Sequence, residues 1–375
     1  MKQIGILGGG QLGRMLLQAA ANYPLIMHVL ENDPECPSAH LCHHFTCGDI
    51  RDFDTVYAFG KALDAITIEI ESVNIEALEK LEQEGVFVCP RPSAIRIIQN
   101  KVHQKQFYQD NQIPTSPFLI TQNRQDVAAV SNFLPAVHKL GLGGYDGKGV
   151  QMINTPADLP NAFDAPSVLE KKVTIAREIA CMMAVDQEGK EVLYPITDMV
   201  FDPDLHLLNY QITPAILDEK VRWKAEAITR TAVRQLKSPG IFAVELFVDP
   251  DDNVLINEMA PRVHNSGHHT IEAHYCSQFD MLIRILASYP LGNPGMVMPS
   301  ALVNIVGSDH AFGLATYEGL NEVLQMEHVF VHLYGKQQVK PGRKMGHTTI
   351  LHPDRQELIH RVNRIRNTLR VVGRD

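Results

Sequence analysis

Glu245 and Glu258 each interrupt a run of apolar and β-branched residues, Phe242-Ala-Val-Glu-Leu-Phe-Val248 and Val254-Leu-Ile-Asn-Glu-Met-Ala260. Pro250-Asp-Asp-Asn253 lies between them, so the segment reads as an antiparallel hairpin closed by a four-residue turn. In that register the two carboxylates fall opposite each other and share one face of the sheet. Acids about 5 Å apart on a half-buried sheet repel, and the pair calls for a cation. Hard oxygen ligands without His or Cys favour Mg²⁺, and Mg²⁺ held by only two carboxylates is usually held by nucleotide phosphates as well. Arg262, His264, Asn265 and Ser266 follow at once, a dense set of anion-binding groups. The plainer alternative is a pair of solvated glutamates on an outer face.

Two glycine-rich loops offer phosphate sites. Gly8, Gly10 and Gly13 satisfy G-x-G-x-x-G after an apolar strand, and Glu31 stands where a dinucleotide fold keeps its ribose-binding acid. An NAD-dependent oxidoreductase is one reading of this loop. The same geometry serves any small phosphate at a helix N-terminus, with Gln11 and Leu12 lining the pocket, or a glycine turn that is only structural. The second loop, Gly141-Leu-Gly-Gly-Tyr-Asp-Gly-Lys-Gly149, has the composition of a phosphate lid. Its glycines let backbone N–H groups approach phosphate oxygens, and Lys148 adds charge beside Asp146. The spacing is not that of a P-loop. Lys139 on the preceding strand and Lys101 supply two more cations that could converge on a triphosphate. Glu170-Lys-Lys-Val173 is a strand end whose backbone could read an adenine edge, and Glu178 could accept from ribose hydroxyls.

Near the C-terminus, Lys336, Lys340, Arg343 and Lys344 gather around a turn, which suggests a site for a phosphorylated metabolite or else a solvated basic turn. Cys36, His40, Cys42, His43, His44 and Cys47 cluster at spacings that fit no structural zinc pattern. A non-enzymatic metal-binding protein would rest on that cluster alone.

These residues need elements to position them. The first 95 residues alternate strands (4–7, 26–30, 65–69, 86–89) with helices (14–22, 75–84), the pattern of a doubly wound parallel sheet. A helical stretch over 93–112 follows, then strands at 136–140, 168–171 and 178–185, a helix at 225–236, the hairpin and a helix at 278–287. Short strands and a basic helix from about Arg355 complete the chain. The fold class is thus α/β: a doubly wound parallel sheet over 1–95, an α+β module over 96–295 with a glycine-rich lid at about 120–185, and a small β-rich domain over 296–375. At 375 residues with 45% hydrophobic content the chain can bury two or three cores. A net charge of −9 argues against nucleic acid or an anionic membrane as partner. No apolar run approaches the ~20 residues of a membrane span. The first residues run straight into a strand with no charged leader, and scattered thiols suit a reducing compartment, so the cytoplasm is expected.

With these residues in hand, the chain resembles an ATP-grasp enzyme and, more narrowly, the N5-carboxyaminoimidazole ribonucleotide synthase (PurK) family. Four segments carry the resemblance: Gly8-Gly-Gly-Gln-Leu-Gly-Arg-Met15, Gly143-Gly-Tyr-Asp-Gly-Lys-Gly149, Asn257-Glu-Met-Ala-Pro-Arg-Val-His-Asn-Ser-Gly-His268 and Lys340-Pro-Gly-Arg-Lys-Met-Gly-His347. The third is highly specific; the first alone is weak. The resemblance implies a pre-ATP-grasp domain, an ATP-grasp domain and a C-terminal domain that completes the substrate site. It implies ATP at Lys101, Lys139, Gly144, Tyr145, Asp146, Gly147, Lys148, Gly149, Val150, Glu170, Lys171, Lys172, Val173, Glu178, Asn257 and Glu258. Glu245 and Glu258 should carry Mg²⁺. Gln11, Leu12, Glu69, Tyr145, Asp146, Asn265, Lys336, Arg343 and Lys344 should surround aminoimidazole ribonucleotide, the basic ones taking its 5′-phosphate. Arg262, His264 and Asn265 should sit near bicarbonate, with Tyr145 and Asp146 closing over the reaction. The implied activity is ATP-dependent carboxylation of that nucleotide in purine biosynthesis, by a homodimer.

Many ATP-grasp enzymes place an Asn, which helps bind metal, where this chain has Ala260, so a second tightly held Mg²⁺ is not expected. Strand alternation puts Glu69 and Glu71 on one face, and Glu69 is taken as the one toward substrate. The formate-dependent glycinamide ribonucleotide transformylase shares the overall plan, but Tyr145-Asp146 and His264-Asn265 favour the carboxylating enzyme.

Overall fold

Strands whose residues are apolar on both faces must be covered on both, which favours a parallel sheet wrapped by helices. Ile4, Ile6, Val29, Leu30, Ala65 and Ile66 are all buried, and the first elements form such a sheet. A computed structural model describes residues 1–143, 149–201 and 208–374. In chain order the first elements are β1 (Lys2–Leu7), α1 (Gln11–Ala20), β2 (Leu25–Glu31), β3 (His44–Cys47), α2 (Phe53–Gly60), β4 (Ala65–Ile68), α3 (Ile75–Gln83) and β5 (Phe87–Val88). The strands lie in the order β3-β2-β1-β4-β5, all parallel, as the doubly wound reading expects. Helix α1 starts at Gln11 rather than near Arg14, so Gly10 is its N-cap.

The helical stretch expected over 93–112 is two helices, α4 (Pro92–Gln99) and α5 (Lys101–Asp110). Asn100 breaks them: its backbone is extended, at φ −115° and ψ 117°, and its side chain accepts from the Val102 N–H at 2.9 Å. An Asn that caps the second helix with its own carboxamide competes with helix continuation through that residue. The break makes Lys101 the first residue of α5, and its N–H donates to the Gly141 carbonyl at 2.8 Å, at the base of the second glycine loop. There follow β6 (Phe118–Thr121), α6 (Arg124–Ala129), β7 (Ala136–Leu140), β8 (Val150–Ile153) and β9 (Ser167–Lys171), a four-stranded antiparallel sheet ordered β6-β9-β7-β8. The glycine loop joins β7 to β8.

A nine-stranded antiparallel sheet takes up most of the remainder. Its elements begin with β10 (Arg177–Val185), β11 (Glu191–Leu193), β12 (Thr197–Phe201), β13 (Leu208–Thr213), α7 (Glu219–Gln235), β14 (Gly240–Val248) and β15 (Val254–Ala260). After α8 (Thr270–Ala273) and α9 (Gln278–Ala287) come β16 (Ser300–Val306), β17 (Gly313–Glu318), α10 (Leu320–Leu324), β18 (Val329–Leu333), β19 (Gln338–Val339), β20 (Lys344–Leu351), α11 (Arg355–Thr368) and β21 (Arg370–Arg374). The path β15-β14-β10-β12-β13-β16-β20-β18, with β11 on β10, is continuous through the pairing of β13 with β16. Strands β19, β17 and β21 form a small separate sheet.

Two helices fix which way the hairpin faces. Phe242, Val244 and Leu246 of β14 bury against Val221, Ala225 and Ile228 of α7. By strand alternation Ala243 and Glu245 then point to the opposite side. Helix α9 packs Phe279, Leu282, Ile283 and Leu286 against Ile4, Leu16 and Leu17 of the parallel sheet and α1. It is the joint that sets the hairpin opposite the first glycine loop. No helix among the described residues is long and apolar enough to cross a membrane. Replacing Asn100 by Ala should cost about 1 kcal/mol in chemical denaturation, while Asn100→Asp keeps an acceptor and should cost little; equal losses would show that the cap does not set this boundary.

Candidate active site

Glu245 and Glu258 are direct cross-strand partners, as the hairpin reading expects, but the route to that register differs. Val248 pairs with Val254, so five residues, 249–253, form the turn, with Asp252 at φ 58°. That spacing alone would set Glu245 opposite Asn257. A bulge between the Leu246↔Ile256 and Glu245↔Glu258 pairs absorbs Asn257 and restores the acid pair. It also changes the parity of β15: Ile256 packs in the core under α7, whereas Glu258, two residues on, lines a cavity of about 420 Å³ with Glu245. Burial, then the neighbouring Glu258 and Glu178, push the Glu245 carboxyl up. The Lys101 ammonium, ion-paired with Glu258, holds the Glu258 carboxyl down. A pair of acids of which one is short of positive charge, both facing one cavity, fits a hard divalent cation.

The first glycine loop presents a different picture from the dinucleotide reading. Glu69 is 9% exposed, and its carboxylate accepts from the Gly10 N–H at 2.6 Å. Glu31 accepts from the Gly9 N–H at 3.0 Å and turns back into the loop instead of facing a ribose site. Glutamates of β2 and β4 thus occupy the helix N-terminus that a pyrophosphate would need. The glycines are required for this approach: a Cβ at Gly10 would lie 2.2 Å from Glu69 Oε1, and one at Gly13 2.7 Å from Glu69 Oε2. Burial pushes the Glu69 carboxyl up to about 7 despite the Gly13 and Gly10 amides, which pull it down. Gln11, Leu12, Glu69 and Glu71 all line the cavity.

Lysines converge from α5 and β7. Lys139 Nζ sits 3.0 Å from Glu170 Oε1 and donates to Asn257 Oδ1 at 3.0 Å. Glu170 is buried, and its other oxygen lies 3.0 Å from Lys105. Burial alone would raise the Glu170 carboxyl, but Lys139, Lys105 and the Ser116 hydroxyl hold it at about 2. Lys105 went unnoticed in the sequence, although it follows Lys101 by one helical turn and so shares its face of α5. Of the expected nucleotide strand end, Lys171 gives its ammonium to the Phe133 and Leu134 carbonyls, both at 3.0 Å. The Lys171 and Lys172 N–H groups donate to Pro117 and Pro135, at 2.7 and 3.1 Å, and Val173 follows them. Burial pushes Glu178 up to about 7. Gly149 precedes β8 and Val150 opens it, while Gly144, Tyr145, Asp146, Gly147 and Lys148 lie outside the described residues.

The segment after β15 closes the cavity. Arg262 Nε is 2.9 Å from Glu71 Oε1, an ion pair the sequence did not suggest. His264 is fixed through its backbone: its N–H donates to Gln278 Oε1, and Gln278 Nε2 donates to its carbonyl, both at 2.8 Å. The Ser266 N–H donates to His264 Nδ1 at 3.3 Å, which leaves Nε2 to carry the proton toward Glu245 Oε1 at 3.7 Å. Asn265 Oδ1 is buried with no hydrogen-bond partner among the described residues. From the basic cluster Lys344 lines the cavity, and Lys336 Nζ donates to the Lys344 carbonyl at 2.9 Å. Arg343 donates to the Gln338 carbonyl at 2.7 Å, and Lys340 is exposed. The cysteine cluster is dispersed: Cys36 is buried against Gly9, Cys42 turns to the Ala39 carbonyl, and His43 Nδ1 accepts from the Met27 N–H. No group of three or more metal-ligating side chains forms among the described residues.

Three known domain families match successive parts of the chain. Residues 1–99 match the ribonucleotide synthetase preATP-grasp domain, 106–279 the ATP-grasp domain, and 300–361 the phosphoribosylaminoimidazole carboxylase C-terminal domain. The N5-carboxyaminoimidazole ribonucleotide synthase of Aquifex aeolicus is 35% identical over 97% of the chain and 96% of its own length. The chloroplastic phosphoribosylaminoimidazole carboxylase of Vigna aconitifolia is 34% identical over 93% of the chain, which spans only 64% of that longer protein. Among solved structures, the Aspergillus clavatus N5-carboxyaminoimidazole synthase in complex with ADP and 5-aminoimidazole ribonucleotide superposes with a TM-score of 0.86, at 30% identity over 97% of this chain and 99% of that one.

The Glu69 environment has a pH signature. Folding raises this carboxyl from 4.5 to about 7, so the folded state holds the proton more tightly than the unfolded chain. Its contribution to stability is present below 4.5 and is lost as the pH rises through about 7. Relative to Glu69→Gln, the unsubstituted chain should therefore lose up to roughly 3 kcal/mol of unfolding free energy between about pH 5 and about pH 8. Parallel stability profiles for the two proteins would contradict this.

Proposed function

The chain belongs to the N5-carboxyaminoimidazole ribonucleotide synthases of the ATP-grasp superfamily, and from that premise we propose that it carboxylates 5-aminoimidazole ribonucleotide at the expense of ATP and bicarbonate. The observation that carries the reading is the acid pair Glu245–Glu258, facing one cavity with Gln11 and Glu69 of the parallel sheet and with Arg262 and Lys344.

A bicarbonate oxygen attacks the γ-phosphorus of ATP; the bond to the β,γ-bridging oxygen breaks and ADP leaves, giving carboxyphosphate. The exocyclic amine of the nucleotide then captures the carboxyl carbon, directly or as CO₂, phosphate departs, and the nitrogen loses a proton. Bicarbonate is a poor nucleophile, so the work of the site is positioning and charge neutralisation. Lys101, Lys139 and the loop residues Gly144–Gly149 embrace the triphosphate, with Val150, the backbone of Glu170–Val173, Glu178 and Asn257 around the rest of ATP. Glu245 and Glu258 would hold Mg²⁺, which when bound supplies neutralisation of phosphate charge. Arg262 binds bicarbonate. His264, locked by Gln278 and Ser266, orients it, and Asn265 offers the free acceptor Oδ1 to substrate. Gln11, Leu12 and Glu69 line the aminoimidazole side, and Lys344, supported by Lys336 and Arg343, takes the 5′-phosphate. Tyr145 and Asp146 close over the reactants, because carboxyphosphate must be kept from water. We place the enzyme in the cytoplasm as a homodimer, built from domains at 1–95, 96–295 and 296–375.

Phosphate release should need both the aminoimidazole nucleotide and bicarbonate, with formate unable to substitute, and Glu258→Gln should abolish it while leaving the circular dichroism spectrum unchanged. Full-rate release by that variant, or release driven by formate, would overturn the assignment. Lys344→Ala should raise the KM for the nucleotide substrate at least roughly tenfold, the scale of one lost charge-assisted contact, with the KM for ATP little changed. Equal effects on both would remove Lys344 from the phosphate site.

A further inference from the structure

Lys105 lies beneath the nucleotide lysine in a pocket with almost no solvent. Its side chain is 3% exposed, and that of Glu170, which it contacts, is 4% exposed. Glu170 bridges two ammoniums, Oε2 at 3.0 Å from Lys105 and Oε1 at 3.0 Å from Lys139. The remaining partners are neutral: Thr115 Oγ1 at 2.7 Å and Ser116 Oγ at 3.4 Å from Lys105, Asn257 Oδ1 at 3.0 Å from Lys139. Ser116 in turn donates to Glu170 Oε2 at 2.7 Å. Two cations therefore share one anion. Two further acids lie near Lys139: burial keeps the Glu178 carboxyl up at about 7, which makes it a weak counter-ion, and Glu258 is ion-paired with a third ammonium, Lys101, so the wider cluster still carries one more cation than ionised acid.

Burying an unbalanced charge is costly unless something outside supplies the missing partner. If the cluster served only to hold α5 against β9, one lysine on Glu170 would suffice and would be cheaper to desolvate. With Lys105 absent, Glu170 would neutralise Lys139 outright. With Lys105 present, Glu170 is already engaged, and Lys139 keeps a net positive charge at its 13%-exposed side chain.

We propose that Lys105 is a positioning residue for the nucleotide: by sharing Glu170 with Lys139, it leaves the Lys139 ammonium electrically available to the polyphosphate of ATP. The proposal rests on the assignment of Lys139 to ATP, and the experiment separates the two. Binding of ATP with Mg²⁺ is measured calorimetrically on the full chain, unsubstituted and as Lys139→Met, Lys105→Met and the double variant Lys105→Met/Glu170→Gln. Lys105→Met should weaken ATP roughly tenfold, the scale of removing one nearby charge from a partly desolvated anion site, with the KM for the aminoimidazole nucleotide unchanged. The double variant, which restores a net positive charge, should recover most of that loss. A purely structural Lys105 predicts the opposite, because the double variant lacks two partners instead of one. Unchanged affinity in Lys105→Met, or a double variant as weak as the single, overturns the proposal. Should Lys105→Met fail to fold, Lys105→Gln, which keeps a donor to Thr115, gives the same reading. Unchanged affinity in Lys139→Met would instead remove the assignment of Lys139 on which the proposal stands.

Discussion

Strand pairing holds Glu245 and Glu258 against each other, and the rest of the cavity is arranged around that repulsion. Two unit charges about 5 Å apart repel by about 3 kcal/mol at an effective dielectric near 20, a large part of the ~5–15 kcal/mol that keeps a domain folded. The chain meets this cost asymmetrically. Lys101 sits on Glu258 and keeps it ionised, while Glu245, deeper and flanked by Glu178 as well, is driven toward its protonated form. A divalent cation between the two would reverse the second effect and compete with Lys101 for the first. A cation bound at the hairpin would thus relieve the acid pair, and Lys101 is the ammonium it would have to move.

The same exchange recurs around the cavity. Arg262 is paired with Glu71, which follows β4 of the parallel sheet. The amides of the first glycine loop, a ready anion site, are filled by Glu31 and Glu69. Lys101 and Arg262 are thus each held by a carboxylate from another segment. An anion binding at either group would have to displace that internal partner. Discrimination follows, since an anion that cannot outcompete a tethered carboxylate gains nothing from the site.

Much of this was legible in the residues alone. The parallel sheet followed from strand and helix signals that alternate over the first 95 residues, and the acid pair from two glutamates in otherwise apolar runs. The bulge at Asn257 was not legible, because a register shift depends on how Ile256 and Met259 pack under α7. A four-residue turn without a bulge and a five-residue turn with one give the same Glu245–Glu258 pairing. Asn100 as a helix break escaped notice because apolar periodicity continues across it. Lys105 was hidden for a different reason. A lysine in a helix of low hydrophobicity reads as surface, and only the tertiary approach of Glu170 from β9 makes it a buried group. The glycine loop left several readings open, since its spacing is compatible with a dinucleotide, and the carboxylate that fills it lies 59 residues away in sequence.

The continuity of the nine-stranded sheet explains why the C-terminal strands belong to the site. Glu258 on β15 and Lys344 on β20 stand on one hydrogen-bonded ladder, joined where β13 pairs with β16. The distance between the acid-pair end of the cavity and its basic end is therefore set by strand pairing. Among the described residues, the four-stranded sheet that carries Lys139 shares no strand pairing with that ladder; the isolated bridge Thr115↔Ile256 lies outside its strands. Its main charged tie to the neighbouring helix is Glu170 on Lys105. Closing the cavity by moving the four-stranded sheet sacrifices no ladder hydrogen bond, whereas moving the C-terminal strands would. The strand pairings thus divide the cavity walls between one continuous ladder, which carries Glu258 and Lys344, and a separate four-stranded sheet, which carries Lys139.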